Sequence, residues 1–306
     1  MKIFLLAPKE NWICDRFVSE WYSHNSKIST HDINDADIVW LVAGWCWNQV
    51  PLHILNQKKV VITIHHIVPE KFDDTKLQEF KFRDQFIDLY HVPCEKTKKQ
   101  LSLLTSKPIQ VIHFWINQNL WFDIPKKQKL KEQYKIDKES FLVGSFQRDT
   151  EGSDLKSPKL EKGPDLFYSH ILRLIDEEKN VQVLLAGWRR QYIINKLQSS
   201  GIKFYYFELP NLHTVNELYN CLDLYVVSAR CEGGPQSIVE CAASKTPIVS
   251  TDVGIASVFL NEKSIFDNSW KAIPDVDFAY DNIKEYKIPT GFEKFKHMFF
   301  NLHRAE

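Results

Sequence analysis

Residues 228–250 read SARCEGGPQSIVECAASKTPIVS and hold two carboxylates, Glu232 and Glu240, with seven residues between them. Two acids so spaced can flank one bond as an acid/base pair, or hold the two ends of a longer ligand. The turn between them, Gly233-Gly234-Pro235, leads into a helical pattern whose first position suits Pro235. From Pro235 to Glu240 a helix rises on the order of 8 Å and the loop adds several more, which sets the carboxylates roughly 10–15 Å apart. A hydrolytic pair flanks one glycosidic bond at a shorter distance. The longer span fits a sugar nucleotide, with one carboxylate accepting hydrogen bonds from the sugar hydroxyls and the other from the ribose. Glycines admit close backbone approach, and the free N–H groups of a helix start favour an anion, so a phosphate fits between the two acids. The plainer reading is that Glu232 is an acid stabilised near a helix start and Glu240 a surface charge. The residues alone leave both readings open.

Such a loop must be held at the end of a strand, and the chain supplies strands at a regular rhythm. In the first half KIFLLA, ADIVWLVA, KKVVITIHH, LYHVPC and PIQVIHF read as strands, and residues 74–88 as a helix carrying Leu77, Phe80 and Phe86. Residues 123–139 are charged and poor in large apolar side chains, which predicts an interdomain connection there. The rhythm then resumes, with SFLVGSF, VQVLLAG, KFYYFE, DLYVVSA and PIVST as strands and helical patterns between them. Two such successions predict an α/β protein of two Rossmann-like domains facing across a cleft, residues 1–135 and 136–306. The tail places Phe292, Phe295, Phe299 and Leu302 on one face of an amphipathic helix, expected to pack back on the first domain rather than on a membrane.

Composition excludes several classes. The 306 residues carry 39 basic and 39 acidic side chains, so no net charge draws the chain to nucleic acid or anionic lipid. The six cysteines form no C-x-x-C pair and no cluster with histidine, which disfavours structural zinc and is consistent with reduced thiols in a cytoplasmic protein. The N-terminal apolar run is too short for a signal-peptide core, and no stretch approaches the roughly 18 apolar residues of a spanning helix.

LYNCLDLYVVSARCEGGPQSIVECAASKTPIVSTDVG resembles the E-x7-E region of retaining glycosyltransferases of the GT-B fold, the large family that includes bacterial lipopolysaccharide, capsule and mannosyl transferases. The resemblance covers strand, turn, helix and following strand. It implies that Glu232 contacts the donor sugar and Glu240 the nucleotide ribose, while the backbone at Gly233, Gly234 and Pro235 lines the sugar and diphosphate. The family also neutralises the leaving diphosphate with an arginine and a lysine. Here these would be Arg148, after the first strand of the second domain, and Lys162, just before the helix start at Gly163-Pro164. The interval between them is longer than in relatives and contains Lys156 and Lys159 as further candidates. Gly187 and Arg189, in LLAGWRR, stand where relatives place a turn at the donor site.

In the first domain, His65 and His66 end a strand in the manner of a histidine that relatives present to the transferred sugar, with His66 preferred. Trp45, like Trp12 and Trp47, is a candidate for stacking on a sugar face, against the alternative of a core role. The glycine-rich loop that many relatives carry after the first strand is missing, so acceptor recognition is not carried over.

The resemblance implies retaining, metal-independent transfer of a sugar from a nucleoside diphosphate sugar to a hydroxyl of a glycan, a lipid-linked sugar or another acceptor, with no further cofactor. It also implies a role in polysaccharide biosynthesis, while the scattered thiols and the lack of a long apolar stretch predict a cytoplasmic protein with at most peripheral membrane contact. Two alternatives share the fold: a sugar-nucleotide epimerase, and a non-catalytic module that binds a nucleotide sugar.

Overall fold

The computed structural model describes residues 1–10, 13–177 and 180–305, so Trp12 lies outside the described residues. The chain divides into two compact units, Met1–Trp115 with Ile288–Glu306, and Ile116–Lys287.

The first unit is built on five parallel strands: β1 (Ile3–Leu6), β2 (Ile38–Leu41), β3 (Lys59–Thr63), β4 (Leu89–Val92) and β5 (Ile109–Val111), lying side by side in chain order. β2 and β4 are buried along their whole length; β2 (IVWL) accordingly reads as an unbroken apolar run rather than an alternating one, while β4 carries one polar residue, His91. The connections carry α1 (Ile13–Asn25), α2 (Leu52–Gln57), α3 (Asp74–Asp84) and α4 (Glu95–Leu101).

The core of this unit is aromatic. Trp21 and Trp40 meet edge to face at 5.7 Å, and the end of the chain completes the cluster: Phe292 lies 4.5 Å from Trp115, Phe295 5.3 Å from Trp40 and Phe299 5.5 Å from Trp21. Two of these three phenylalanines sit on the C-terminal helix, Glu293–Arg304, whose buried residues Phe295, Met298, Phe299 and Leu302 follow the 3.6-residue period. Its apolar face is therefore spent on the protein. Beneath this cluster the Trp40 indole N–H donates to Thr63 Oγ1 (2.9 Å), which pairs with His91 Nδ1 (2.9 Å), while His91 Nε2 pairs with the Ile112 carbonyl (2.8 Å). Full burial drives the His91 imidazole down to about 3, so it is neutral, with Nε2 donating and Nδ1 accepting.

The division between the units falls at Trp115/Ile116, not near residue 135 as the charge-rich stretch suggested. Residues 116–139 are bound to the second unit. The backbone N–H groups of Phe122 and Ile124 donate to the side chains of Asn216 (3.2 Å) and Asn220 (2.7 Å). α5 (Lys127–Gln133) buries Leu130 and Lys131 there. The Lys131 ammonium, almost fully buried, reaches Asp223 at 2.9 Å, and Lys127 reaches the same carboxylate at 3.1 Å. A buried ion pair lets a charged sequence pack, and composition alone gives no sign of it.

In the second unit β6 (Phe141–Ser145), the short antiparallel pair β7 (Thr150–Glu151) and β8 (Ser157–Pro158), β9 (Val181–Ala186), β10 (Phe204–Phe207), β11 (Leu224–Val227) and β12 (Ile248–Ser250) alternate with helices. These are α6 (Pro164–Asp176), α7 (Gln191–Ser199), α8 (Leu212–Cys221), α9 (Gln236–Ala243), α10 (Ala256–Phe259) and α11 (Val276–Asn282); the C-terminal helix of the first unit is then α12. The five-stranded parallel sheet has the order β10-β9-β6-β11-β12. The chain winds outward from β6 first to one side and then to the other, so the loops after β6 and β11 open side by side at the switch point where α/β sheets bind ligands.

All six cysteines are free thiols. No helix among the described residues is long and apolar enough to cross a membrane.

Candidate functional site

The loop after β11 is clamped from two directions by positions where only glycine fits. Gly163, with φ +60°, passes so close to the loop that a Cβ there would lie 1.8 Å from the Ser228 carbonyl oxygen. Gly254, with φ +57°, would place a Cβ 2.4 Å from the Gly233 oxygen. Hydrogen bonds reinforce the clamp. Ser228 Oγ donates to the Gly163 carbonyl (2.8 Å), and the N–H groups of Arg230 and Cys231 donate to the Glu161 carbonyl (2.8 and 3.0 Å). Thr251 Oγ1 donates to the Ala229 carbonyl (2.6 Å). The Arg230 guanidinium forks onto Asp165 through bonds of 2.7 and 2.6 Å, and that contact holds the Asp165 carboxyl below its usual range.

Within this frame the Lys162 ammonium pairs with the Glu232 carboxylate, both side chains largely buried. Among the three candidate lysines, Lys162 makes this ion pair with Glu232. Lys159 pairs with Glu161 at 3.7 Å, and Lys156 is exposed on the β7–β8 turn. The long interval after Arg148 is that hairpin, closed at its base by the Lys159 N–H donating to the Asp149 carbonyl (2.8 Å). The extra residues therefore loop out, and Lys162 still arrives at the sheet end. Gln147 Nε2 fixes the Lys162 carbonyl at 2.7 Å. A cation at the start of α6 requires an anion beside it, and here Glu232 supplies it.

Glu240 lies in the middle of α9 and is buried, so it is no surface charge. The Tyr219 hydroxyl donates to its Oε2 at 2.9 Å. Burial, and then the neighbouring Glu240 charge, push the Tyr219 phenol well above its ordinary range, so it stays protonated and donates. Pro235 stands one position earlier than expected: it flanks the helix with ψ 105°, and α9 begins at Gln236.

Arg148 and Arg189 converge on Trp188. Their guanidinium carbons lie 5.6 and 4.7 Å from the indole ring, while Arg148 Nε donates to the Thr150 carbonyl (3.0 Å) and Arg189 Nη1 to that of Gly152 (3.1 Å). Gly187 follows the end of β9, its N–H donating to the Phe207 carbonyl (3.1 Å). The adjacent Arg190 is structural: fully buried, it donates to Asp149 (2.6 Å) and to the Ala186 carbonyl (2.8 Å).

In the first unit, His65 is anchored by its Nε2 at 2.9 Å from the Val42 carbonyl and by stacking on Phe114, with Trp45, more than half exposed, at 5.9 Å. His66 is half-buried on the segment after β3. Trp47, a stacking candidate from sequence, is instead a core residue whose indole donates to Glu79 (3.0 Å). Among the described residues no group of three or more His, Cys, Asp or Glu gathers as a metal-ion site.

Sequence reasoning missed Tyr219, Trp188, Gln147 and Gly254. Tyr219 and Glu240 are 21 positions apart on different helices, and no spacing rule joins them.

Residues 154–274 match the family model described as "Glycosyl transferases group 1". No curated protein matches the chain. Among solved structures it is similar to Anabaena Alr3699/HepE in complex with UDP and glucose, at 14% identity and a TM-score of 0.74, covering 98% of this chain and 100% of that one. It is also similar to sucrose-phosphate synthase (tll1590) from Thermosynechococcus elongatus, at 14% identity, TM-score 0.67, 98% of this chain and 81% of that one. TarM is a third, at 15% identity, TM-score 0.64, 95% of this chain and 58% of that one. The fold is GT-B, and the matched segment is the one that holds Lys162, Glu232 and Glu240.

Proposed function

We propose that the protein is a glycosyltransferase that moves a sugar from a nucleoside diphosphate sugar to an acceptor hydroxyl, with retention of configuration and without a metal ion. The observation that carries this reading is the Lys162–Glu232 pair at the switch point of the second sheet, within the segment matched by the glycosyltransferase model. HepE was crystallised with UDP and glucose, which supports a donor of the same chemical class.

In this reading Glu232 accepts hydrogen bonds from hydroxyls of the transferred sugar, and Glu240 from the ribose. The backbone at Gly233, Gly234 and Pro235 lines the sugar and diphosphate, and the cations Lys162 and Arg148 receive the diphosphate, with Arg189 beside them. As the bond between the anomeric carbon and the diphosphate oxygen breaks, charge grows on the phosphate and is stabilised by groups already in place. The acceptor oxygen forms its new bond on the same face, and its proton passes to the departing phosphate oxygen. The first unit is assigned acceptor recognition, with Trp45, His65 and His66 as its candidate contacts. Membrane contact, if the acceptor is lipid-linked, would be peripheral.

Thermal shift with UDP, GDP, ADP and TDP, followed by assays of the matching sugar nucleotides with and without EDTA, tests the reading. One nucleotide should stabilise the protein, slow donor hydrolysis should persist in EDTA, and Glu232→Ala should abolish it. Stabilisation by none of the four, or unchanged turnover in Glu232→Ala, overturns it. Conversion of the donor to an epimer would assign the site to an isomerase, and binding without any turnover to a sensor.

A further inference from the structure

The Glu240 carboxylate sits on a buried helix face, where its orientation cannot be set by solvent. Tyr219 Oη donates to Oε2 at 2.9 Å from α8, and the Tyr219 ring is itself immobilised, 4.8 Å from Phe146 and 5.8 Å from Trp121. Tyr225 closes the same cluster at 5.4 Å, and its own hydroxyl accepts the Phe146 N–H (3.0 Å). Phe146 and Arg148 belong to the loop after β6, so this aromatic cluster joins that loop to the helix bearing Glu240. A carboxylate that must receive two ribose hydroxyls needs a fixed plane, because a free rotor loses entropy on binding and weakens both bonds.

We propose that Tyr219 is a positioning residue for nucleotide recognition: its hydroxyl fixes the Glu240 carboxylate in the orientation that accepts the ribose hydroxyls of the donor. This rests on the assignment of Glu240 to the ribose made above. Tyr219 touches no substrate in this arrangement and acts through Glu240.

The test compares Tyr219→Phe, which keeps the ring and its packing, with the wild type. Calorimetry would use whichever of UDP, GDP, ADP and TDP stabilises the wild type, together with the 2′,3′-dideoxy form of that nucleotide. The wild type should prefer the hydroxylated nucleotide by about 10- to 100-fold, as expected for hydrogen bonds to a charged acceptor. Tyr219→Phe should lose about 5- to 30-fold toward that nucleotide and little toward the dideoxy form, and Glu240→Gln with Tyr219→Phe should be no worse than Glu240→Gln alone. Equal weakening toward both nucleotides would mean a purely structural hydroxyl and would overturn the proposal. So would undiminished ribose discrimination in the variant. If the wild type itself does not discriminate, or binds none of the four, the ribose assignment of Glu240 is what fails, and the positioning role falls with it.

Discussion

The Lys162 ammonium and the Glu232 carboxylate form an ion pair although they stand 70 positions apart in the chain. Each is the other's counter-ion in a largely buried place. In the proposed reading, a diphosphate arriving with negative charge would compete with Glu232 for Lys162, and a sugar hydroxyl would offer Glu232 a replacement donor. Glu232→Gln should therefore bind the sugar-free nucleoside diphosphate as well as the wild type or up to about tenfold tighter, while turnover of the sugar nucleotide falls about 10²- to 10³-fold. Lys162→Met should weaken both. Calorimetry and steady-state assays on the two variants separate these outcomes, and equal loss of nucleotide binding in both would contradict the competition.

The clamp on the loop after β11 depends on two left-handed glycines. Gly163→Ala adds a Cβ 1.8 Å from the Ser228 carbonyl oxygen, and the oxygen is backbone that cannot swing away. Loss of about 2 kcal/mol or more is expected, with nucleotide affinity reduced because the Lys162 turn shifts. Gly254→Ala should act in the same sense through Gly233. Denaturant melts and nucleotide titration check both, and wild-type behaviour would show that the loop accommodates the methyl.

The charged segment 123–139 is held by Asp223. Burial raises the Asp223 carboxyl, but the Leu142 N–H and the ammonium groups of Lys131 and Lys127 outweigh it and leave it below its usual range. A carboxylate depressed on folding stabilises the folded state above its unfolded pKa, and that contribution is lost as pH falls through the folded value. Asp223→Asn strands the buried Lys131 ammonium and should cost about 3 kcal/mol at pH 7, the difference shrinking below about pH 4. Urea unfolding of wild type and variant at pH 7 and pH 3.5 measures this.

His91 gives the first unit an acid sensitivity of its own. Its imidazole falls from 6.5 to about 3 because burial disfavours the cation; the hydrogen bond to the Ile112 carbonyl opposes this only in part, and the neighbouring His65 and His113 add to the fall. Between those values the unfolded chain binds the proton and the folded one does not, so stability should fall as pH drops from about 6.5 toward 3, by up to about 1.4 kcal/mol per pH unit. Trp40 and Trp21 lie in the same core, so tryptophan fluorescence during urea unfolding follows it. His91→Phe should flatten the pH slope, and an unchanged slope would place the sensitivity elsewhere.

The sequence by itself determined the alternation of strands and helices, the glycine turn between Glu232 and Glu240, and the amphipathic face of the C-terminal helix. Each of these is a local pattern, readable because strand and helix periods and turn chemistry act over a few residues. The tertiary structure decided what depends on contacts between distant segments. It brought Lys162 to Glu232 with the β7–β8 hairpin looped out, and it set the unit division at Trp115 because Asp223 and Asn220 capture a segment whose composition looks like a linker. It also turned Trp47 into a core residue and gave Glu240 its partner in Tyr219. Such pairings are fixed by the path of the backbone through the sheet, and hydrogen bonds and ion pairs between remote positions leave no period in the chain.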